Sequence, residues 1–160
     1  MKRLLAAPVW FYSLGLGFLL GERFLYLVHR GRKSGRVRRT VLEIVAHTDG
    51  EYVVCSGTGP RADWYLNLRA GPPLAVGVGA RLWTASHRFL SSAEAAEVFA
   101  EYERRNPRLA ANLLDLMGHQ YDGTDAGRLA LMEDMPMVAF SQGFGLPPDL
   151  PPGAQARPPK

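Results

Sequence analysis

Between residues 23 and 56 the chain is written as three β-type runs separated by two glycine-containing turns, and no other stretch limits the fold as much. Phe24, Leu25, Tyr26, Leu27 and Val28 follow one another with few polar breaks over residues 23–29, the pattern of a buried strand. Gly31-Arg32-Lys33-Ser34-Gly35 is a turn bounded by glycines, and residues 37–47 resume as a strand rich in Val37, Thr40, Val41, Ile44 and Val45. Thr48-Asp49-Gly50 is a strong hairpin signal, so Tyr52, Val53, Val54 and Cys55 form a third strand over residues 51–56. Strands joined by such short turns pair antiparallel. A parallel nucleotide-binding sheet would need a helix in each connection, and the order of elements excludes it.

Downstream, helices interrupt this β pattern. Gly57-Thr58-Gly59-Pro60 cannot be regular structure, and Asp63 is placed to cap a short helix carrying Trp64, Tyr65, Leu66 and Leu68 before Gly71-Pro72-Pro73 stops it. Residues 74–79 and 81–90 read as a strand pair joined around Gly79-Ala80. Ser91 or Ser92 opens a helix with Glu94 close behind and Ala95, Val98, Phe99 and Tyr102 at helical spacing. Pro107 begins another that Gly118 closes, residues 121–127 read as a loop, and residues 135–141 supply a last short strand. The sum is an α+β protein: a curled, mainly antiparallel sheet or small barrel with inserted helices.

A length of 160 residues accommodates one such domain, here residues 23–145. Two flanking segments differ from it. Residues 4–21 carry no charge over 18 consecutive positions, the lower edge of a membrane span, yet Pro8, Gly15 and Gly17 argue against a simple spanning helix. Residues 1–22 therefore read as an apolar N-terminal helix that either covers the domain or attaches to a membrane surface, with a span or a secretory signal as further alternatives. Residues 146–160 are proline-rich with little to bury, so they read as an extended tail. The single cysteine, Cys55, excludes an intrachain disulfide and fits a reduced cytoplasmic setting, at the inner face of the cell membrane if the N-terminus attaches there.

Charge points to a ligand. Arg30, Arg32, Lys33, Arg36, Arg38 and Arg39 supply six of the chain's 19 basic residues within ten positions, with no acid among them, and the remainder of the chain is slightly acidic. One local cluster suits a discrete anion better than a nucleic-acid surface, and the aromatic residues are not interleaved with it. Backbone amides at Gly31 and Gly35, the Ser34 hydroxyl and the charges of Arg32 and Lys33 suit a phosphate or carboxylate, although the spacing is not that of a P-loop. A solvated hairpin tip is the competing reading. On a strand Arg36 and Arg38 share one face and Arg39 takes the other. The loop from Ser56 to Pro60, leading into a helix, is a second anion-facing candidate whose alternative is an ordinary turn. His29, His47, His87 and His119 lack metal-ligand spacing, so no metal is expected, and Cys55 reads as a small buried residue.

The order Gly31-Arg32-Lys33-Ser34-Gly35, then Arg38, Arg39 and Thr40, then Gly59-Pro60-Arg61-Ala62-Asp63-Trp64 and Asn67, resembles the deazaflavin-dependent nitroreductase family over residues 24–141. The resemblance implies a split β-barrel and the coenzyme F420. It implies that Arg32, Lys33, Ser34 and Gly35 grip the coenzyme's phosphate and acidic tail with Arg38 as a further contact. Ser56, Gly57, Thr58 and Gly59 would pass the deazaflavin ring, with Trp64 and Asn67 on the following helix. The implied reaction is hydride transfer from reduced deazaflavin to a quinone, a nitroaromatic or a similar electron-poor acceptor, with Ser56 as a candidate hydrogen-bond donor. Two other readings stay open: a split-barrel enzyme binding flavin mononucleotide (FMN), and a non-enzymatic membrane-peripheral protein whose basic hairpin meets an anionic ligand.

Overall fold

The computed structural model describes residues 22–143, so the apolar segment, Glu22 excepted, and the proline-rich tail at 146–160 lie outside the described residues. Seven strands form one antiparallel sheet: β1 (Phe24–Arg30), β2 (Val37–Thr48), β3 (Glu51–Cys55), β4 (Ala75–Val78), β5 (Arg81–Trp83), β6 (His87–Phe89) and β7 (Met137–Ser141). Four helices interrupt them: α1 (Asp63–Ala70), α2 (Ser92–Arg105), α3 (Pro107–Met117) and α4 (Asp125–Asp134). The spatial strand order is β5-β4-β1-β2-β3-β7-β6.

Curvature comes from β2. Its first half pairs with β1, from Glu43 opposite Phe24 to Val37 opposite Arg30. Its second half pairs with β3, from Ile44 opposite Val54 to Thr48 opposite Glu51, with a register shift between Ile44 and Ala46. An irregularity of this kind bends a strand and increases its twist, so the two halves of the sheet face one another. Residues 84–86 join β5 to β6, which stand at opposite ends of the strand order. A link that short reaches about 14 Å at most, so the sheet curls until its edges approach and forms a half-barrel. Trp83 Nε1 donates to the Ser141 carbonyl at 2.8 Å and the Ser86 amide to Ser141 Oγ at 2.9 Å, tying the β5 edge and the link to β7.

Strand alternation separates two cores. Leu25, Leu27, Tyr52, Val54, Val76, Trp83 and Phe140 fill the barrel, and Tyr65 and Leu68 of α1 plug it. Val45, Val53, Met137 and Ala139 point outward, where Phe99 and Tyr102 of α2, Leu114 of α3, and Leu131 and Met132 of α4 cover them. Each large side chain removed from water here is worth about 1.5–3 kcal/mol. A third cluster, Tyr26, Val28, Val41 and Ala75, lies on the outer face of β1, β2 and β4 and among the described residues contains no helical one.

Ser91 caps α2 through a reciprocal capping box with Glu94, and Gly118 ends α3 in the left-handed conformation, as the spacing predicts. Three expectations need correction. Residues 81–90 make two strands at opposite sheet edges rather than one, because the chain crosses the barrel mouth between Trp83 and His87. Asp63 does not cap α1; Ala62 precedes the helix, and the Asp63 carboxylate turns to Arg32 instead. The loop expected over residues 121–127 gives way at Thr124 to α4. Thr124 accepts the Gly127 amide and is itself held by Asp122, and a side chain at Gly127 would collide with the Asp122 carboxylate.

Candidate active site at the turn between β1 and β2

The β1–β2 turn closes on its own backbone. The Gly31 amide donates to the Arg36 carbonyl and the Gly35 amide to the Gly31 carbonyl, both at 2.8 Å, and Gly35 has φ +65°, which disfavours any side chain there. Ser34 Oγ accepts the Arg36 amide at 3.3 Å. Helix α1 lies beside this turn because its loop, residues 56–62, delivers it across the barrel end. That loop is pinned by the Gly59 amide on the Ser56 carbonyl and the Ser56 amide on the Pro136 carbonyl, and Gly59 has φ +87°.

Turn, loop and helix enclose a cleft of about 650 Å³ lined by His29, Gly31, Arg32, Lys33, Ser34, Arg38, Arg39, Thr40, Thr58, Ala62, Asp63, Trp64 and Asn67. Four cationic side chains meet one carboxylate there. Arg32 Nη1 donates to Asp63 Oδ1 and to Asn67 Oδ1, each at 3.0 Å, and the Arg32 amide donates to Asn67 Oδ1 at the same distance. Hydrogen bonding and attraction from Arg32, with Lys33 and Arg38 farther off, hold the Asp63 carboxyl below the usual carboxylate range. The side chains of Lys33 and Arg38 have no hydrogen bond or ion pair among the described residues. Arg39, expected on the face opposite Arg38, also borders the cleft while interacting with the Tyr26 hydroxyl.

The floor is neutral. His29, at the end of β1, is 4% exposed, and its Nδ1 lies 3.1 Å from Asn67 Nδ2. Burial, reinforced by Arg38, lowers its pKa to about 4, so it is uncharged near neutrality; because Asn67 turns its oxygen to Arg32, its nitrogen donates to His29 Nδ1. Reading the histidines for metal spacing misses this role. The signal was position: a polar residue at the end of an otherwise apolar strand, two places before the basic turn.

Of the anticipated site residues, Arg32, Lys33, Ser34, Arg38, Thr58, Trp64 and Asn67 come together in this cleft. Gly35 lies behind the turn in a smaller cavity of about 360 Å³ with Arg30 and Pro72. Gly57 and Gly59 face a separate cleft of about 440 Å³, shared with Met117, His119 and Asp134, and Thr58 borders both clefts. Ser56 is 1% exposed and its hydroxyl donates to the Gly59 carbonyl at 2.6 Å, so the proton anticipated for a ligand is engaged within the loop. Burial pushes the Cys55 thiol up to about 12, which disfavours the thiolate a nucleophile would require.

A coenzyme carrying a phosphate and several carboxylates fits this donor set. The cleft volume is within the range of cofactor sites, and two of its cations have no partner among the described residues. A solved structure described as an F420-H2 dependent reductase (FDR-A) superposes with TM-score 0.51 at 19% identity, covering 76% of this chain and 96% of that one. A second, described as a domain-swapped dimer, gives TM-score 0.50 at 20% identity, with 76% and 81% covered. At such identities the likeness shows the fold alone. No curated protein matches the chain. The family model described as F420H(2)-dependent quinone reductase matches residues 14–112, well over half of the chain. On that match, the protein belongs to the F420H(2)-dependent quinone reductase family and is an oxidoreductase whose coenzyme is F420.

Proposed function

We propose that the protein passes a hydride from reduced F420 to an electron-poor acceptor, a quinone first and a nitroaromatic as a second class. The observation that carries the reading is the pair of cations, Lys33 and Arg38, whose side chains make no hydrogen bond or ion pair among the described residues, in a cleft where Asp63, the only described carboxylate, is already taken by Arg32. Bound there, the reduced deazaflavin supplies the hydride. The residues around it bind and orient. Lys33, Arg38 and Arg32 hold the anionic tail with Ser34 offering a hydroxyl, and Trp64 gives the cleft an aromatic wall. Thr58 stands between this cleft and the one lined by Gly57, Met117 and His119, so an acceptor in the second would meet the coenzyme across a single loop residue. Ser56, whose hydroxyl is engaged by Gly59, supports the loop; Thr58 is the exposed hydroxyl there.

For residues 4–21 we propose a cover that favours lipophilic acceptors, at the inner face of the membrane when such acceptors reside there. What supports this reading is the run itself, which carries no charge over 18 consecutive positions. Among the described residues no helix is long and apolar enough to cross a membrane. Steady-state oxidation of reduced F420 by a short soluble quinone, a long-chain quinone and a nitroaromatic, with the full chain and with residues 1–21 removed, tests both parts. The expected result is turnover of both quinones, with truncation lowering the long-chain rate more. No turnover of any quinone or nitroaromatic would refute the acceptor class, and equal losses would refute the cover.

A further inference from the structure

Asn67 borders the cleft without offering it a free polar group. Its Oδ1 accepts twice from Arg32, through the backbone amide and through Nη1, and its Nδ2 lies 3.1 Å from His29 Nδ1. The residue is 6% exposed, and no buried side-chain nitrogen or oxygen among the described residues lacks a hydrogen-bond partner. Asn67 is therefore occupied on both sides.

We propose that Asn67, oriented by His29, is a positioning residue that fixes Arg32 and its turn in the geometry that receives an anion. This rests on the cleft being the coenzyme site. The direction of each hydrogen bond makes the argument. An asparagine amide can take two flipped orientations, and its neighbours decide between them. Two donors on Arg32 need the oxygen on their side. The nitrogen then faces His29, and the arrangement holds only if His29 presents an acceptor at Nδ1. Burial and the nearby Arg38 charge keep His29 neutral, and the Asn67 nitrogen facing Nδ1 selects the tautomer whose proton sits on Nε2. Were Nδ1 protonated, two donors would face one another, the amide would be driven to turn over, and the Arg32 amide would lose its acceptor. Arg32 is thus held from two sides with unequal permanence. The Asn67 side is buried, whereas Asp63 is 86% exposed in its side chain and is held by an exposed ion pair that an incoming anion can displace.

The geometry also selects its own control. Asparagine at position 29 would place an oxygen, at the same number of bonds from the backbone, where the histidine has Nδ1; leucine would place none. The test titrates wild type, Asn67→Ala, His29→Leu and His29→Asn with F420, with the same deazaflavin lacking its phosphate tail, and with inorganic pyrophosphate by calorimetry. Thermal melts identify any variant that does not fold. Loss of a hydrogen bond serving a charged group predicts that Asn67→Ala and His29→Leu weaken F420 and pyrophosphate about tenfold or more. Affinity for the phosphate-free deazaflavin should remain within about twofold, and His29→Asn should bind like wild type to a similar margin. Unchanged F420 and pyrophosphate binding in Asn67→Ala, equal weakening of all three ligands, or failure of His29→Asn to retain what His29→Leu loses would each overturn the proposal. Failure of the coenzyme reading is separately visible, because wild type would then not bind F420 at all, while the pyrophosphate arm still tests the positioning.

Discussion

Helices α2 and α4 and the basic cleft treat their arginines in opposite ways. On α2, α4 and the neighbouring strand β6, each arginine is paired with a carboxylate. Arg88 meets Glu51 and Glu94 at 2.9 and 3.0 Å, Arg128 meets Glu103 and Asp125 at 3.1 and 2.7 Å, and Arg104 and Arg105 share Glu101. At the β1–β2 turn the same residue types crowd together with Asp63 as the sole carboxylate among the described residues lining the cleft, and Lys33 and Arg38 have no partner among them. Like charges held close repel, and a fold gains nothing from leaving them so. The difference shows where the protein keeps charge for its own structure and where it keeps charge for a ligand.

The comparison breaks most readily at those cations. Replacing Lys33 and Arg38 together by alanine should weaken F420 binding about a hundredfold, from two charge-assisted contacts of about 1.5 kcal/mol each, with little change in thermal stability. Replacing Arg88 and Arg128 should do the reverse, lowering the melting temperature by a few degrees while F420 affinity stays within about twofold. Fluorescence titration beside thermal melts checks both, and an equal loss of affinity in the two double variants would erase the distinction.

A second difference is that the cleft floor is held by a neutral histidine rather than by an ion pair. The pKa of His29 is lowered from 6.5 to about 4, first by burial and then by Arg38. The unfolded chain therefore binds a proton that the folded chain does not as pH falls from 6.5 towards 4. Stability from this residue is present in full above pH 6.5 and lost through that window, a change on the order of 2–3 kcal/mol. Urea unfolding of wild type and His29→Asn at pH 7 and pH 4.5 should show the larger fall in wild type. Parallel falls would assign the acid sensitivity to other groups.

The smallest effect belongs to Asp63, the carboxylate that shares the cleft with the cations. Asp63→Asn removes a negative charge beside the ligand site while Asn67 still holds Arg32, so F420 affinity should rise about threefold at low salt, less as salt is added. A loss of affinity would mean that Asp63 is needed to orient Arg32.

Much of this was legible in the residues because local signals and tertiary structure agree. The Thr48-Asp49-Gly50 hairpin, the Ser91 capping box and the Gly118 stop are short-range features, and each appears where the sequence puts it. What escaped depends on distant partners. The division of residues 81–90 between two sheet edges is set by barrel closure, which no window of sequence contains. Helix α4 was hidden because Gly123 and Gly127 read as breakers, although Gly127 serves the cap made by Asp122 and Thr124. In the site, clustering of basic residues revealed the cleft. The sequence could not show that Ser56 is tied to Gly59, that Asn67 faces inward onto Arg32, or that His29 lies beneath both. Those are matters of direction, and hydrogen-bond direction is fixed only once α1 lies beside the turn.

The measurement that bears most directly on the central claim is a fluorescence titration of the purified full-length protein with oxidised F420, run beside flavin mononucleotide at the same ionic strength. Saturable F420 binding that weakens with salt and in the Lys33→Ala, Arg38→Ala variant is the predicted result. Binding of flavin mononucleotide without F420, or F420 binding indifferent to that variant, would contradict it.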